Sequence, residues 1–498
     1  MRFFRLAMVA AAVFSVSSTA MAEARYLLDG SNTAWFIQIS DTHVDSNFKK
    51  YYLGSIEWAL GEAFDVIQPA FIVNTGDLTD STIATAPFYG SGPLQAEWNL
   101  YKALMAKHGM TASVYHDVPG NHDAYGDLGL KFYIKNSVQG VATGSTQQAW
   151  KIDLPGGPLM FFSAATTAND GKQFPSDNGE MTTAELAELQ GFFDDSPDAA
   201  FRMCFAHSDY EDNLKNSAPF IKLLDDYGVS YYAHGHEHSA GVRLASGTVR
   251  VRIDSIGQAA GANFALWTVD NEGVTVRVYD AGVKWPLVQI TAPSDLYVAV
   301  GADSLLNPHV PAVPGRCDKA PVRALVFDDT PVSQVSFSVD GGDKVAMVRE
   351  GGGGFQWRGL FDATKLGSGE HSITVEAAGS ATASDTSRFI VEDIACELGP
   401  EDPPPSDGGT PDAGKTDAGG DAGSGDSGVK DAGGKDAGIK DAGIKDGGTA
   451  ADGSVSPDSG GSEGQDASTE EDAGAVYDAG TGVPVQGPQG CSCSAAGL

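Results

Sequence analysis

The sequence predicts an α/β domain, then an all-β sandwich, then a disordered tail. Three observations carry this reading. Strand-like apolar runs alternate with helix-spaced stretches as far as residue 293. From about residue 295 to Cys396 helical periodicity gives way to short alternating runs. Beyond residue 398 large apolar side chains almost vanish. At 498 residues the chain has room for two or three domains.

Residues 1–22 precede the first domain. Arg2 and Arg5 lead into an apolar stretch from Leu6 to Val16, and Ala20-Met21-Ala22 offers the small residues of a cleavage site. This pattern predicts a signal peptide and hence export to the periplasm, the cell surface or the medium. The apolar core is too short to favour a membrane anchor.

The α/β domain is expected over residues 23–293. Apolar runs at 34–40, 70–75, 112–119, 201–206 and 229–233 read as buried strands. Residues 54–67 and 95–108 have helical spacing, and Thr182-Thr183-Ala184-Glu185 reads as a capping box. Further strands around residues 150–164 and 249–288 call for a second sheet packed on the first. Cys204 falls inside an apolar strand and reads as a buried small hydrophobe.

Residues 294–398 read as the sandwich. Val335, Phe337 and Val339 alternate with Gln334, Ser336 and Ser338, Ile373 and Val375 repeat the pattern, and Trp357 is a candidate core residue. Cys317 and Cys396 bracket this segment, and after export they could either pair or stay free. Residues 399–490, with Lys-Asp-Ala-Gly repeated, cannot bury enough apolar surface to offset chain entropy and read as a disordered spacer. The Gly-Gly-x-Gly-x-Asp calcium repeat is absent there.

The net charge is −34, and residues 401–478 hold 19 acidic residues against five lysines. The rest of the chain is moderately acidic and has no basic stripe, which argues against long nucleic acid as a partner.

The chemistry-bearing residues follow the five buried strands: Asp41-Thr42-His43, Gly76-Asp77-Leu78-Thr79-Asp80, Gly120-Asn121-His122-Asp123, His207, and Gly235-His236-Glu237-His238. Strands of a layered α/β fold bring such C-terminal loops to one edge. Carboxylate, amide and imidazole donors suit two transition metal ions, divalent or trivalent, with Fe, Mn, Zn and Co all acceptable. Asp77 is the candidate bridge. Asp41, His43 and His238 would complete one site, and Asn121, His207 and His236 the other. Asp41 and His43, like His236 and His238, are two residues apart, so an extended backbone would point each pair the same way. Gly120 and Gly235 would permit backbone bends. His122 reads as a general acid with Asp123 or another carboxylate orienting its ring, Asp80 as a support for a ligand histidine or for the turn, and His234 as a structural histidine.

These blocks resemble the calcineurin-like metallophosphoesterase superfamily: Asp-x-His, Gly-Asp-x-x-Asp, Gly-Asn-His-Asp, a lone His and Gly-His-x-His, in that order. The resemblance covers about residues 30–290. It implies a four-layer α/β/β/α sandwich of two mixed sheets and supports the two-metal assignment position by position. Asp80 stands where purple acid phosphatases carry a metal-binding tyrosine, so a tyrosinate–iron site is not expected. The block order is similar to that of cyclic-nucleotide phosphodiesterases and related branches, and the following segment to the Ig-like domain joined to some members. The implied activity is exported hydrolysis of a phosphomonoester or phosphodiester by in-line attack of a metal-bridging hydroxide. The alternative is a surface-binding protein whose metal-loaded domain is not catalytic. Gly490-Cys491-Ser492-Cys493 resembles the start of a cysteine-containing surface-sorting signal, offering cell-surface attachment through residues 491–498.

Overall fold

The computed structural model describes residues 31–46, 50–81, 93–127, 129–167, 179–258, 262–271, 273–350 and 354–396. The signal segment, the spacer, Cys491 and Cys493, and most of the loops at 81–93 and 166–179 lie outside the described residues. Among the described residues no helix is long and apolar enough to cross a membrane.

Two mixed sheets form the first part of the chain. One orders its strands Gly273–Asp280, Asn263–Asp270, Thr33–Ile39, Ile72–Asn74 and Tyr115–Asp117. The last three run parallel, and the first two are antiparallel additions at one edge. The other sheet orders Gly241–Ala245, Thr248–Arg252, Tyr231–His234, Phe201–Phe205, Gly157–Ser163 and Gln148–Leu154, parallel at its centre and antiparallel at both edges.

Period-two alternation along these strands creates three apolar layers. Phe36, Val73, Phe161, Met203, Phe205, Tyr231 and Trp267 fill the space between the sheets. Their neighbours Ile37, Ile39 and Ile72 face outward onto Ile56, Leu60, Trp98 and Tyr101 of the helical segments 50–67 and Gln95–Lys107. On the far side Phe162, Cys204 and Tyr232 meet Leu189, Phe193, Phe220 and Leu224 of helices Thr183–Asp194 and Ala218–Asp226. The result is the expected helix–sheet–sheet–helix sandwich, with Cys204 buried as expected. Thr182 and Glu185 cap their helix reciprocally, Glu185 N donating to Thr182 Oγ1 at 3.2 Å and Thr182 N to Glu185 Oε2 at 2.6 Å. The helical segment expected at 54–67 starts at Lys50 and changes to π geometry over Ala59–Ala63.

The strand-rich region beyond is all-β. A four-stranded sheet (Leu287–Ala292, Ala320–Phe327, Gln356–Phe361, Val348–Arg349) packs on a five-stranded one (Val313–Pro314, Thr382–Glu392, Gly369–Ala378, Gln334–Val339, Val345–Ala346). Val335, Phe337, Ile373, Val375 and Trp357 share its core, and Cys317 is disulfide-bonded to Cys396 with Cα atoms 4.9 Å apart. Composition placed the change of domain at 293/294, but the chain crosses between layers on both sides of that point. Leu287–Ala292 already pairs with Ala320–Phe327, whereas the hairpin Tyr297–Val300/Asp303–Leu306 sends Val298 and Val300 back between the two sheets of the first domain.

Strand Ala320–Phe327 serves two cores. Val322, Ala324 and Val326 point into the β-sandwich, and Leu325 and Phe327 into the helical layer of the first domain. Buried Arg323 grips Asp270 through Nε and Nη2 at 2.9 and 2.7 Å, and Arg277 reaches Asp295 at 2.8 Å and Asp385 at 3.1 Å. A chain ending at residue 293 strips Leu325 and Phe327 from the first core and leaves Asp270 buried without its cation. Such a chain is expected to lose cooperative urea unfolding and to bind a hydrophobic dye, while the full chain unfolds in a sharp transition.

His116 supplies a pH handle on stability. Its ring stacks on Trp150, centroids 3.9 Å apart and planes at 7°, and Nδ1 lies 3.1 Å from Gln148 Oε1. Burial pushes its pKa down to about 4 against a weaker opposing effect of the Gln148 contact. Because the folded-state value lies below the unfolded one, this stability is present above pH 6.5 and is lost as pH falls through about 4. The loss should reach about 3 kcal/mol. It is read by urea unfolding as a fall in unfolding free energy between pH 7 and pH 3.5 that is smaller by this amount in His116→Gln.

Candidate metal centre

Loops after Thr33–Ile39, Ile72–Asn74 and Tyr115–Asp117 in one sheet, and after Phe201–Phe205 and Tyr231–His234 in the other, meet at one end of the sandwich. Backbone bonds stitch them together: Asp41 N to Gly76 O at 2.9 Å, His43 N to Asp77 O at 2.9 Å, and Gly235 N to His207 O at 3.1 Å. His236 N donates to Asp41 Oδ2 at 3.1 Å, joining loops from the two sheets.

The ligand loops are not extended, as the two-residue spacing suggested. Asp41, His43, Asp77, His236 and His238 all have left-handed backbone, with φ of 52°, 42°, 50°, 76° and 46°. A non-glycine residue held there costs about 1–2 kcal/mol. Tight left-handed turns let five donors converge within a few residues of each strand end. Gly76 is itself at φ +110°, and a β-carbon there would come 2.4 Å from the His207 ring. Gly120 and Gly235 matter for room rather than for the expected bend. A β-carbon would lie 2.1 Å from Asp77 N at Gly120 and 1.8 Å from Ser40 Oγ at Gly235.

The seven expected ligands are brought together in two sets sharing Asp77. In one, His43 Nε2 and His238 Nε2 face each other at 3.0 Å, with Asp41 Oδ1 at 3.3 Å from His238 and Asp77 Oδ2 at 3.6 Å from His43. In the other, Asn121 Oδ1 lies 2.8 Å from His207 Nε2 and 2.9 Å from His236 Nδ1, those two nitrogens are 3.2 Å apart, and Asp77 Oδ2 is 3.2 Å from His207. Donor atoms of Asp41, His43, Asp77 and His238 lie within 4.8 Å of one another, as do those of Asp77, His207 and His236. Asp41 Oδ1 is buried and takes no hydrogen bond from the described residues. Imidazole nitrogens converging on each other and on a bare carboxylate oxygen fit a cation between them better than any hydrogen-bond pattern.

Neighbouring groups orient these donors. His207 Nδ1 lies 2.9 Å from Thr75 O, leaving Nε2 for the centre. Asn121 Nδ2 donates to Tyr125 Oη at 2.7 Å, which turns the amide oxygen inward. Asp80 Oδ1 lies 3.0 Å from His43 Nδ1 and accepts from Gln258 Nε2 at 2.7 Å, so Asp80 supports a ligand histidine as expected. Tyr125 and Gln258 were missed by sequence reasoning. Tyr125 stands four residues after Asn121 on one short helical turn, a spacing that could have suggested it; Gln258 carries no local signal.

Electrostatics oppose burial throughout. Burial pushes the Asp77 carboxyl up, but the imidazoles of His207, His122 and His43 outweigh it and hold Asp77 well below the usual range. Burial likewise pushes His207 down, while Asp77 overrides it and raises the imidazole to about 9. The metal-free centre therefore holds protons that cations would displace.

His122 lies over the shared carboxylate: its amide N donates to Asp77 Oδ1 at 2.9 Å, and Nε2 is 4.0 Å from Asp77 Oδ2. The ring meets His43 edge-on at 4.6 Å and remains 21% exposed. Asp123 does not orient that ring. Its Oδ2 accepts from Leu78 N at 3.0 Å and Gly120 N at 2.9 Å, and its Oδ1 from Thr79 N at 3.0 Å and Thr79 Oγ1 at 3.1 Å. On this short turn its side chain projects back onto the loop carrying Asp77, where three donors need an acceptor, and also caps Gly120 N of its own loop. His234 is buried beside Asp209 at 3.6 Å and outside both ligand sets, in keeping with a structural role.

Two donor sets sharing one carboxylate, with a partly exposed histidine above it, form a candidate metal centre. Residues 34–240 match the family model described as calcineurin-like phosphoesterase, and this segment is a domain of that family. Transmembrane protein 62 of mouse is 25% identical over 375 residues, covering 73% of this chain and 55% of its own length. An Arabidopsis thaliana protein named as a metallophosphoesterase is 24% identical over 226 residues, covering 42% of this chain and 30% of its own. The chain thus spans about half or less of the length of these relatives. Among solved structures, a 5′-nucleotidase from Candida albicans aligns at 13% identity and TM-score 0.33, covering 51% of this chain and 52% of that one. GAP50 of Plasmodium aligns at 13% identity and TM-score 0.35, covering 50% and 85%.

Asp123 and His122 should separate cleanly on substitution. Asp123→Ala orphans three buried backbone N–H groups and is expected to cost about 3 kcal/mol or more of stability, seen as a lower urea midpoint. His122→Ala should leave the unfolding free energy within about 0.5 kcal/mol of the native value.

Proposed function

We propose that this chain hydrolyses phosphoric esters, monoesters or diesters, at the centre built around Asp77. The observation that supports this most strongly is the pair of ligand sets sharing one carboxylate beneath His122. Asp41, His43, Asp77 and His238 would hold one ion, and Asp77, Asn121, His207 and His236 the other. Two ions bound there supply Lewis acidity toward the phosphoryl oxygens and activate water near neutral pH.

The chain's own residues do the rest. Asn121 is a neutral ligand, so it limits the negative charge that Asp41 and Asp77 present to an anionic ester. His122 is the proton donor to the departing oxygen. Burial holds its pKa below the usual value, with Asp77 and Asp80 opposing, and an arriving phosphate anion favours the charged ring further. We also read the chain as exported through residues 1–22, with residues 399–498 offering a route to the cell surface.

Full-length protein reconstituted with Mn2+ is expected to hydrolyse p-nitrophenyl or bis-p-nitrophenyl phosphate. Asp77→Ala and His236→Ala should abolish nearly all metal-dependent turnover, and native rates in both would overturn the reading. His122→Ala should lower kcat about 10²- to 10⁴-fold with metal content unchanged.

A further inference from the structure

Strand Thr248–Arg252 reads Thr-Val-Arg-Val-Arg and runs parallel to Tyr231–His234, with Arg250 opposite Tyr232 and Arg252 opposite His234. Val249 and Val251 enter the core between the sheets. Alternation therefore turns both arginines to the opposite face, toward the ligand loops. Arg250 Nη1 bonds Asp209 and its Nη2 reaches Glu211 Oε2 at 2.6 Å, in the loop after His207. Arg252 Nη1 bonds the Glu237 carboxylate, and its Nε donates to Ser239 O at 2.7 Å.

Glu237 is the one side-chain donor of Gly235-His236-Glu237-His238 that belongs to neither ligand set. Its flanking residues, His236 and His238, both hold left-handed backbone. Such a loop relaxes unless outside contacts over-determine it. Arg252 provides two of these contacts, one at Glu237 and one just past His238. A small, partly open pocket of about 10 Å³, room for about one water, borders Arg250 and Arg252. Arg252 is mostly buried, and the planar fork of its guanidinium fixes the geometry of both contacts.

We propose that Arg252, acting through Glu237 and the Ser239 carbonyl, is a positioning residue that sets the separation and aim of His236 and His238, and so couples the two ion sites. The inference rests on the metal reading above.

The test uses the full chain stripped of metal and titrated with Mn2+, read by affinity and by the electron paramagnetic resonance signal of a spin-coupled ion pair. The native chain should bind two ions with the coupled signal. Glu237→Gln, a change on an exposed residue, and Arg252→Met should each weaken the looser ion about 10-fold or more. Both should convert coupled signal to single-ion signal, while the melting midpoint of the metal-free Glu237→Gln chain stays native. The double variant should bind no more weakly than the weaker single variant. Native affinity and native coupling in Glu237→Gln, with the native chain binding two ions, overturns this inference alone, whether or not Arg252→Met folds. A native chain that takes up no Mn2+ overturns the metal reading and this inference with it.

Discussion

The Asp77 carboxylate is the constraint on which the site depends. Its Oδ1 takes the amide of His122 at 2.9 Å, and its Oδ2 faces His207 at 3.2 Å and His43 at 3.6 Å. Asp77 follows a strand of one sheet and His207 a strand of the other, so one side chain joins the ends of both. A buried carboxylate is expensive without compensating charge. Here three imidazoles supply it, and Asp41 adds a second buried carboxylate to the same small volume. An arrangement so rich in donors and so poor in fixed cations is stable in proportion to the positive charge, as protons or metal, that it can recruit.

The loops around Asp77 also carry backbone strain, and their stability has to come from elsewhere. Five ligand residues in left-handed conformation amount to several kcal/mol taken together. The offset comes from cross-bonded loops and from three apolar layers, one of which continues into the β-sandwich. Leu325 and Phe327 complete the helical-side core, and Arg323 neutralises buried Asp270. The β-sandwich is therefore part of what holds the first domain, with its strands shared between cores.

Much of this was legible in the chain because the determinants are local. Donor residues directly after apolar strand runs pointed to the seven side chains that the structure brings together, and the Thr182/Glu185 spacing identified its cap. What was not legible depends on contacts between distant segments. The left-handed backbone of Asp41 and His43 is fixed by bonds to Gly76 and Asp77 in another loop. Asp123 lies beside His122 in sequence, yet its acceptors are claimed by Leu78, Thr79 and Gly120. Strand Ala320–Phe327 alternates visibly, but nothing local reveals that its second face meets Trp35 and the helices rather than solvent. The composition shift at 293/294 marks a change in helical content, which is a different quantity from the edge of a core.

The same period-two rule explains why sheet two can be both a core and a brace. In Thr248–Arg252 the valines take the face that must be dry, and the arginines take the face beneath the ligand loops. In Tyr231–His234 the partition repeats, with Tyr231 and Ala233 inward and Tyr232 and His234 outward. Sheet one braces its ligand loops differently: Asn74 at a strand end accepts from Gly76 N at 3.3 Å and donates to Thr42 Oγ1 at 3.2 Å, beside backbone bonds and the contacts of Asp123 and Asp80. The two halves of the centre are thus braced by different chemistry. On one side short hydrogen-bonded turns fix Asp41, His43 and Asp77. On the other, ion pairs rising from a strand support the segments that carry His207, His236 and His238. The sheet-two segments are therefore fixed by long side chains reaching up from a strand, and the sheet-one turns by backbone bonds made within and between the turns themselves.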